Sequence, residues 1–150
     1  MPLHFNSSIK QCSEVKLCIW LVDDDVCSSE LLSPLLSAEA NVDYPRIFCS
    51  ALSLLVTLRQ EPPPDAVLLD VQMSVMDGIE AIRPIKDLAP STKVFILTNF
   101  FDDRHKKSAL AAGASGFLLK RNSPTHIVAA IRALPAHLNS HCQTHVVAPQ

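Results

Sequence analysis

The chain lacks an excess of charge of either sign. A formal charge of −2 over 150 residues sets up no basic field to draw in nucleic acid or an anionic membrane. It also lacks any apolar run of membrane-spanning length, and Met1 to Glu14 lacks the apolar core of a signal peptide. That first segment, residues 1–14, reads as a flexible arm. The five cysteines, Cys12, Cys18, Cys27, Cys49 and Cys142, form no CxxC pair and are odd in number. Cys18 and Cys49 fall within apolar runs, where a thiol packs as a small hydrophobe. Reduced thiols and a cytoplasmic setting follow as the expectation. No internal repeat is present, and no linker divides two domains. What remains is an ordinary globular balance, 48% apolar and 19% charged, in a chain of one-domain length.

Apolar runs and helical patterns alternate along this domain. Val15 to Val22 (VKLCIWLV) reads as a first central strand, with Trp20 in the core. Val26 to Ala40 is helical by pattern, with Leu31, Leu32, Leu35 and Leu36 spaced for a buried face. Pro34 is expected to kink that helix or split it near Ser33. Arg46 to Cys49 makes a second strand, and Ser50 caps a helix that ends before Glu61-Pro62-Pro63-Pro64. Ala66 to Leu69, closed by Asp70, reads as a buried parallel strand. Asp77 caps a third helix running to about Leu88, with a local bend expected at Pro84. Lys93 to Leu97 is the fourth strand and ends at Thr98. Asp102 and Asp103 open a fourth helix, where negative charge suits the helix dipole. Gly113 closes that helix as a left-handed cap. Gly116 to Leu119 is the fifth strand, ending at Lys120. Ser123-Pro124 then starts a fifth helix reaching Leu134. Strand and helix alternating in this way imply a parallel sheet covered on both faces.

The polar residues fall at one end of these strands. Asp23-Asp24-Asp25 follow the first strand, Asp70 ends the third, Thr98 the fourth and Lys120 the fifth. In a parallel sheet those ends share one edge, the edge where open α/β sheets place their chemistry. Carboxylates gathered there raise one another's pKa unless a cation neutralises them. A hard divalent ion with oxygen ligands, such as Mg²⁺, fits such a cluster. Each residue also has a plainer use: Asp25 suits a helix N-cap, Thr98 a turn, and Lys120 a solvated strand end.

The stretches LVDDD, LLDVQMSVMDG, VFILTNF and AAGASGFLLK resemble the receiver domain of two-component response regulators, in order, spacing and strand position. The resemblance runs from about Lys16 to Leu134, and all three glycines, Gly78, Gly113 and Gly116, fall at receiver-like turns. KRNSPTHIVAAIRAL, with no proline after Lys120, is most similar to receivers of the LuxR-type subclass. The resemblance implies a flavodoxin-like, doubly wound five-stranded parallel sheet of order 2-1-3-4-5 with five helices over residues 15–134. It implies Asp70 as acceptor of a phosphoryl group from a histidine kinase or histidine phosphotransfer protein. Asp24 is then the direct Mg²⁺ ligand and Asp23 its partner, with Asp70 and the backbone carbonyl of Gln72 completing the ligands. Thr98 is the switch hydroxyl, Lys120 the ammonium that pairs with the phosphoryl group, and Phe117 the aromatic switch. Such a signalling protein catalyses its own phosphorylation and dephosphorylation.

Some positions depart from the family pattern. Ser74 stands where proline is usual, so a less rigid turn is expected after Asp70. Asn99 and Phe100 add bulk beside Thr98, and Phe117 has no tyrosine hydroxyl. In LuxR-type regulators a helix-turn-helix domain would follow, but residues 135–150 are too few to form one. The expectation is a stand-alone receiver without direct DNA binding, monomer or switched homodimer, with a disordered tail. His137, His141, Cys142 and His145 in that tail have metal-ligand chemistry, with Zn²⁺ a minor alternative. Output is expected through residues 102–134, where Arg104, His105, Lys106, Lys107 and Arg132 suit an acidic partner. A second class of function is a Mg²⁺-dependent phosphatase using Asp23 and Asp25 as a DxD pair, although Cys27 stands where its threonine belongs.

Overall fold

In the computed structural model, which describes residues 15–134, strands and helices alternate without interruption. They are β1 (Ile19–Val22), α1 (Val26–Ser37), β2 (Arg46–Phe48), α2 (Ala51–Gln60) and β3 (Ala66–Asp70). There follow α3 (Gly78–Leu88), β4 (Lys93–Thr98), α4 (Asp103–Ala112), β5 (Gly116–Leu119) and α5 (Pro124–Ala133). All pairings are parallel and the strand order is β2-β1-β3-β4-β5. The expected flavodoxin-like order is thus the observed one.

Side-chain alternation divides the sheet into two faces, because successive residues of a strand point to opposite sides. Trp20, Val22, Val67, Leu69, Val94 and Ile96 pack beneath α2, α3 and α4, through residues such as Leu54, Ile82 and Ala109. Ile19, Leu21, Ala66, Leu68, Phe95 and Leu97 pack beneath α1 and α5, through Leu36, Ile127 and Ile131. β3 and β4 are buried along their whole length, which is why their sequences are continuous apolar runs rather than alternating ones.

Several local expectations need correction. The first strand is shorter than Val15–Val22: Val15 is exposed, and Leu17 makes only an isolated parallel bridge to Val42. α1 is one helix through Pro34, not two. Pro34 and Glu30 both lie on its exposed side, so the Glu30 carbonyl left without an N–H partner can bond water. The buried stripe of α1 is Ser29, Ser33 and Leu36, whereas Leu31 and Leu35 are 73% and 53% exposed. Two small hydroxyl residues at i and i+4 face the sheet, and this rotates the leucine pair outward. α3, by contrast, runs through Pro84 to Leu88 as expected. Cys49 is exposed at the end of β2, not packed in the core, and Cys18 is half-buried. Cys12, Cys142 and the tail histidines lie outside the described residues.

The caps expected at Ser50, Asp77 and Ser123 are in place, and Asp102 caps the helix it was expected to open. Ser50, Asp77, Asp102 and Ser123 each accept a bond from a backbone N–H in the first turn of α2, α3, α4 and α5. Gly113 closes α4 at φ 110°, in the left-handed region that glycine adopts freely. One contact was not foreseen. Lys93, buried at the start of β4, donates from Nζ to the Ile131 carbonyl at 2.8 Å and the Leu134 carbonyl at 3.2 Å. Its ammonium therefore closes the C-terminal end of α5, where positive charge is favoured by the dipole.

Candidate active site

Each strand that carries a polar residue delivers it to the same edge. β1 pairs with β3 in the register Val22↔Leu69, so the residues after Val22 lie beside Asp70. Asp70 in turn pairs with Leu97, one residue before Thr98, and Thr98 pairs with Leu119, one residue before Lys120. Asp23, Asp24, Asp70, Thr98 and Lys120, all singled out in the sequence, are brought together. A cleft of about 340 Å³ opens there, lined by Asp24, Asp70, Gln72, Thr98, Phe100 and Lys120 among others.

The contacts within it are specific. Carboxylate oxygens of Asp23, Asp24 and Asp70 lie within 4.8 Å of one another. Lys120 Nζ donates to Asp23 Oδ2 at 2.7 Å and stands 3.5 Å from Asp70 Oδ2. Asp23 is buried, and its Oδ1 accepts from the Asp25 backbone N–H at 2.9 Å, which fixes the first turn after β1. Asp25 uses its own carboxylate to cap α1, accepting from the N–H groups of Cys27 and Ser28. The plainer use foreseen for Asp25 is the observed one. Thr98 also bonds locally: its hydroxyl accepts from the Phe100 N–H at 3.4 Å and lies 3.3 Å from the Phe100 carbonyl. Phe117 meets Phe101 edge-on, with ring centroids 6.1 Å apart.

Electrostatics follow from this packing. Burial pushes the Asp70 carboxyl up to about 6; the Lys120 charge opposes the rise and the Asp23 charge adds to it. Burial alone would lower the Lys120 pKa. The Asp23 hydrogen bond and the Asp70 and Asp23 charges outweigh burial and raise it. Three carboxylates around one ammonium leave a net negative hollow of hard oxygen donors. That donor set fits Mg²⁺ and would leave room for ligand waters.

Two participants were missed in the sequence. Ser74 Oγ donates to Asp24 Oδ2 at 2.9 Å, across 50 residues of chain, so the turn that lacks the usual proline is tied to the acidic loop. His105 also lines the cleft, with Nδ1 3.9 Å from Asp102 Oδ2. Nothing in the local pattern signals the Ser74 contact, because it depends on how two loops face each other. The His105–Asp102 pair, in contrast, is an i,i+3 contact at the start of α4 that helix spacing could have signalled. Of the basic residues grouped by sequence, Arg104 and Lys106 lie on α4 beside Asp102 and Phe101. Arg132 instead holds the turn after α1, donating to the carbonyls of Ala40 and Asn41.

A carboxylate cluster faced by one lysine, at the switch point of a 2-1-3-4-5 parallel sheet, marks a flavodoxin-like α/β domain with its polar cleft where such sheets place their chemistry. The chain belongs to the response regulator receiver domain family, whose sequence profile matches residues 19–132. It is a domain of phosphorylation-based two-component signalling. Among curated proteins it is 40% identical over 79 residues to the uncharacterized transcriptional regulatory protein YxjL of Bacillus subtilis. That match takes in 53% of this chain and 36% of the relative. It is 42% identical over 72 residues to the response regulator protein VraR of Staphylococcus aureus, covering 48% of this chain and 34% of that one. The matched stretch thus spans little more than a third of these relatives. Among solved structures, a LuxR-family two-component response regulator from Aurantimonas sp. SI85-9A1 superposes with a TM-score of 0.72 at 28% identity. The superposition covers 79% of this chain and 84% of that one. Among the described residues, no helix is long and apolar enough to cross a membrane.

Proposed function

We propose that Asp70 accepts a phosphoryl group from the phosphohistidine of a histidine kinase or histidine phosphotransfer protein, in a Mg²⁺-dependent reaction. The observation that supports this most directly is the placement of Lys120 between Asp23 and Asp70, with the three carboxylates within 4.8 Å of one another. An Asp70 oxygen attacks phosphorus, a P–O bond forms, and the P–N bond to the donor imidazole breaks. Little covalent chemistry is asked of the protein, so positioning and charge compensation dominate. Lys120 sits within reach of the incoming oxygens on a flexible stem and offsets part of their charge. Asp23, Asp24, Asp70 and the Gln72 carbonyl would hold Mg²⁺, which when bound would supply further charge neutralisation. Arrival of the group gives the Thr98 hydroxyl a stronger, anionic acceptor than the Phe100 carbonyl it now faces.

The change then leaves through residues 102–134. Thr98 moving inward frees space that Phe117 can take, and Phe117 separates from Phe101, which is packed on α4 through Lys106. That is a two-state packing change biased by charge. Its readout is the surface of α4, β5 and α5, offered to a downstream protein. The phosphatase alternative requires Asp25 beside Asp23 as a working pair, yet Asp25 caps α1 through Oδ1 and is not among the three carboxylates that converge within 4.8 Å. Incubation with acetyl phosphate and Mg²⁺, followed by mass-spectrometric mapping, tests the assignment. Label on Asp70, lost in Asp70→Asn, is the expected result; label on Asp23 overturns it.

A further inference from the structure

We propose that Ser74 is a positioning residue for the cation site: its hydroxyl orients Asp24 and locks the loop after β3 onto the loop after β1. The inference rests on the assignment of Asp23, Asp24 and Asp70 as Mg²⁺ ligands. Asp23 is held by burial and two hydrogen bonds, from the Asp25 N–H and from Lys120. Asp70 is held by its place at the end of a buried strand. Asp24 has neither support. It is exposed, and packing does not choose its rotamer. Ser74 supplies the missing constraint, donating to Oδ2 at 2.9 Å and leaving Oδ1 for a cation.

The same bond acts on the other loop. Ser74 lies between Gln72, whose carbonyl is the fourth protein ligand, and Asp77, which caps α3. Gly78 N–H donates to the Val71 carbonyl at 3.0 Å and closes the far side of this loop. One hydroxyl therefore restrains two ligand-bearing loops that meet only at this edge. Proline at this position would stiffen the turn but has no donor to offer Asp24. Hydrogen bonds to a ligand carboxylate set its orientation, and losing one weakens metal affinity about 10- to 100-fold.

Thermal melting with Mg²⁺ titrated, on the wild type, Ser74→Ala, Ser74→Thr and Val75→Ala, tests this. Ser74→Ala is expected to move the Mg²⁺ midpoint about ten-fold higher, with the metal-free melting temperature unchanged. Ser74→Thr, which keeps the hydroxyl, returns the midpoint to near the wild-type value. Val75→Ala, an exposed neighbour on the same loop, leaves it in place. An unshifted midpoint in Ser74→Ala, no rescue by threonine, or an equal shift in Val75→Ala overturns the role of the hydroxyl. A wild type that gains no stability from Mg²⁺ overturns the ligand assignment itself, and this inference with it.

Discussion

Replacing Asp70 by asparagine should stabilise the metal-free protein at neutral pH. Asp70 is 9% exposed and its carboxyl is raised from the ordinary 3.8 to about 6, chiefly by burial. About two decades of proton affinity at about 1.4 kcal/mol each make ionising it in the fold cost about 3 kcal/mol. Below pH 4 the group is protonated in both states and contributes no penalty. Between pH 4 and 6 the unfolded chain ionises first, so stability falls as pH rises; above pH 6 the penalty is complete. Asparagine removes the penalty but also takes a partner from Lys120, whose bond to Asp23 remains, so about 3 kcal/mol is an upper bound. Urea denaturation of both proteins in EDTA, from pH 4 to 8, measures the difference. It should grow from near zero to about 1–3 kcal/mol across that window. A difference that is flat with pH, or an Asp70→Asn protein less stable at pH 8, refutes the reasoning. Saturating Mg²⁺ should shrink the advantage, since it stabilises only the ionised site.

A Cβ at Gly78 would overlap the Asp70 carbonyl oxygen, so Gly78→Ala should cost about 1–3 kcal/mol and impair labelling of Asp70, measured by denaturation and acetyl phosphate uptake. Full stability and uptake would show that α3 can draw back freely. Hydrogen exchange with and without beryllofluoride, a stand-in for the aspartyl phosphoryl group, should change across residues 98–134. Changes confined to the loop after Asp70 would exclude the proposed route through Thr98 and Phe117.

The strands were legible because parallel strands buried on both faces leave continuous apolar runs, as in Ala66–Leu69 and Val94–Leu97, while their order came only from the family resemblance. Where burial is one-sided, pattern misled. In α1 the leucines at 31 and 35 point outward and Ser29 and Ser33 point inward, because helix rotation is set by what fits against the sheet. Lys93 reads as a polar strand start, and only the arrival of α5 overhead turns it into a buried cap.

By itself the sequence determined which residues stand at the strand ends: a two-residue side-chain period and apolar runs closed by Asp23, Asp70, Thr98 and Lys120 require no knowledge of the partner strands. Parallel pairing then places them on one edge, so the ingredients of the site are local. Tertiary structure alone decided their bonds. Lys120 reaches Asp23 across 97 residues of chain, and Ser74 reaches Asp24 across 50. Asp25 turns back to its own helix, while Thr98 bonds its own loop. A hydrogen bond is satisfied only within about 3 Å and a narrow angle. Which donor meets which carboxylate therefore depends on how the loops settle against one another, and that is written in no single stretch of the chain.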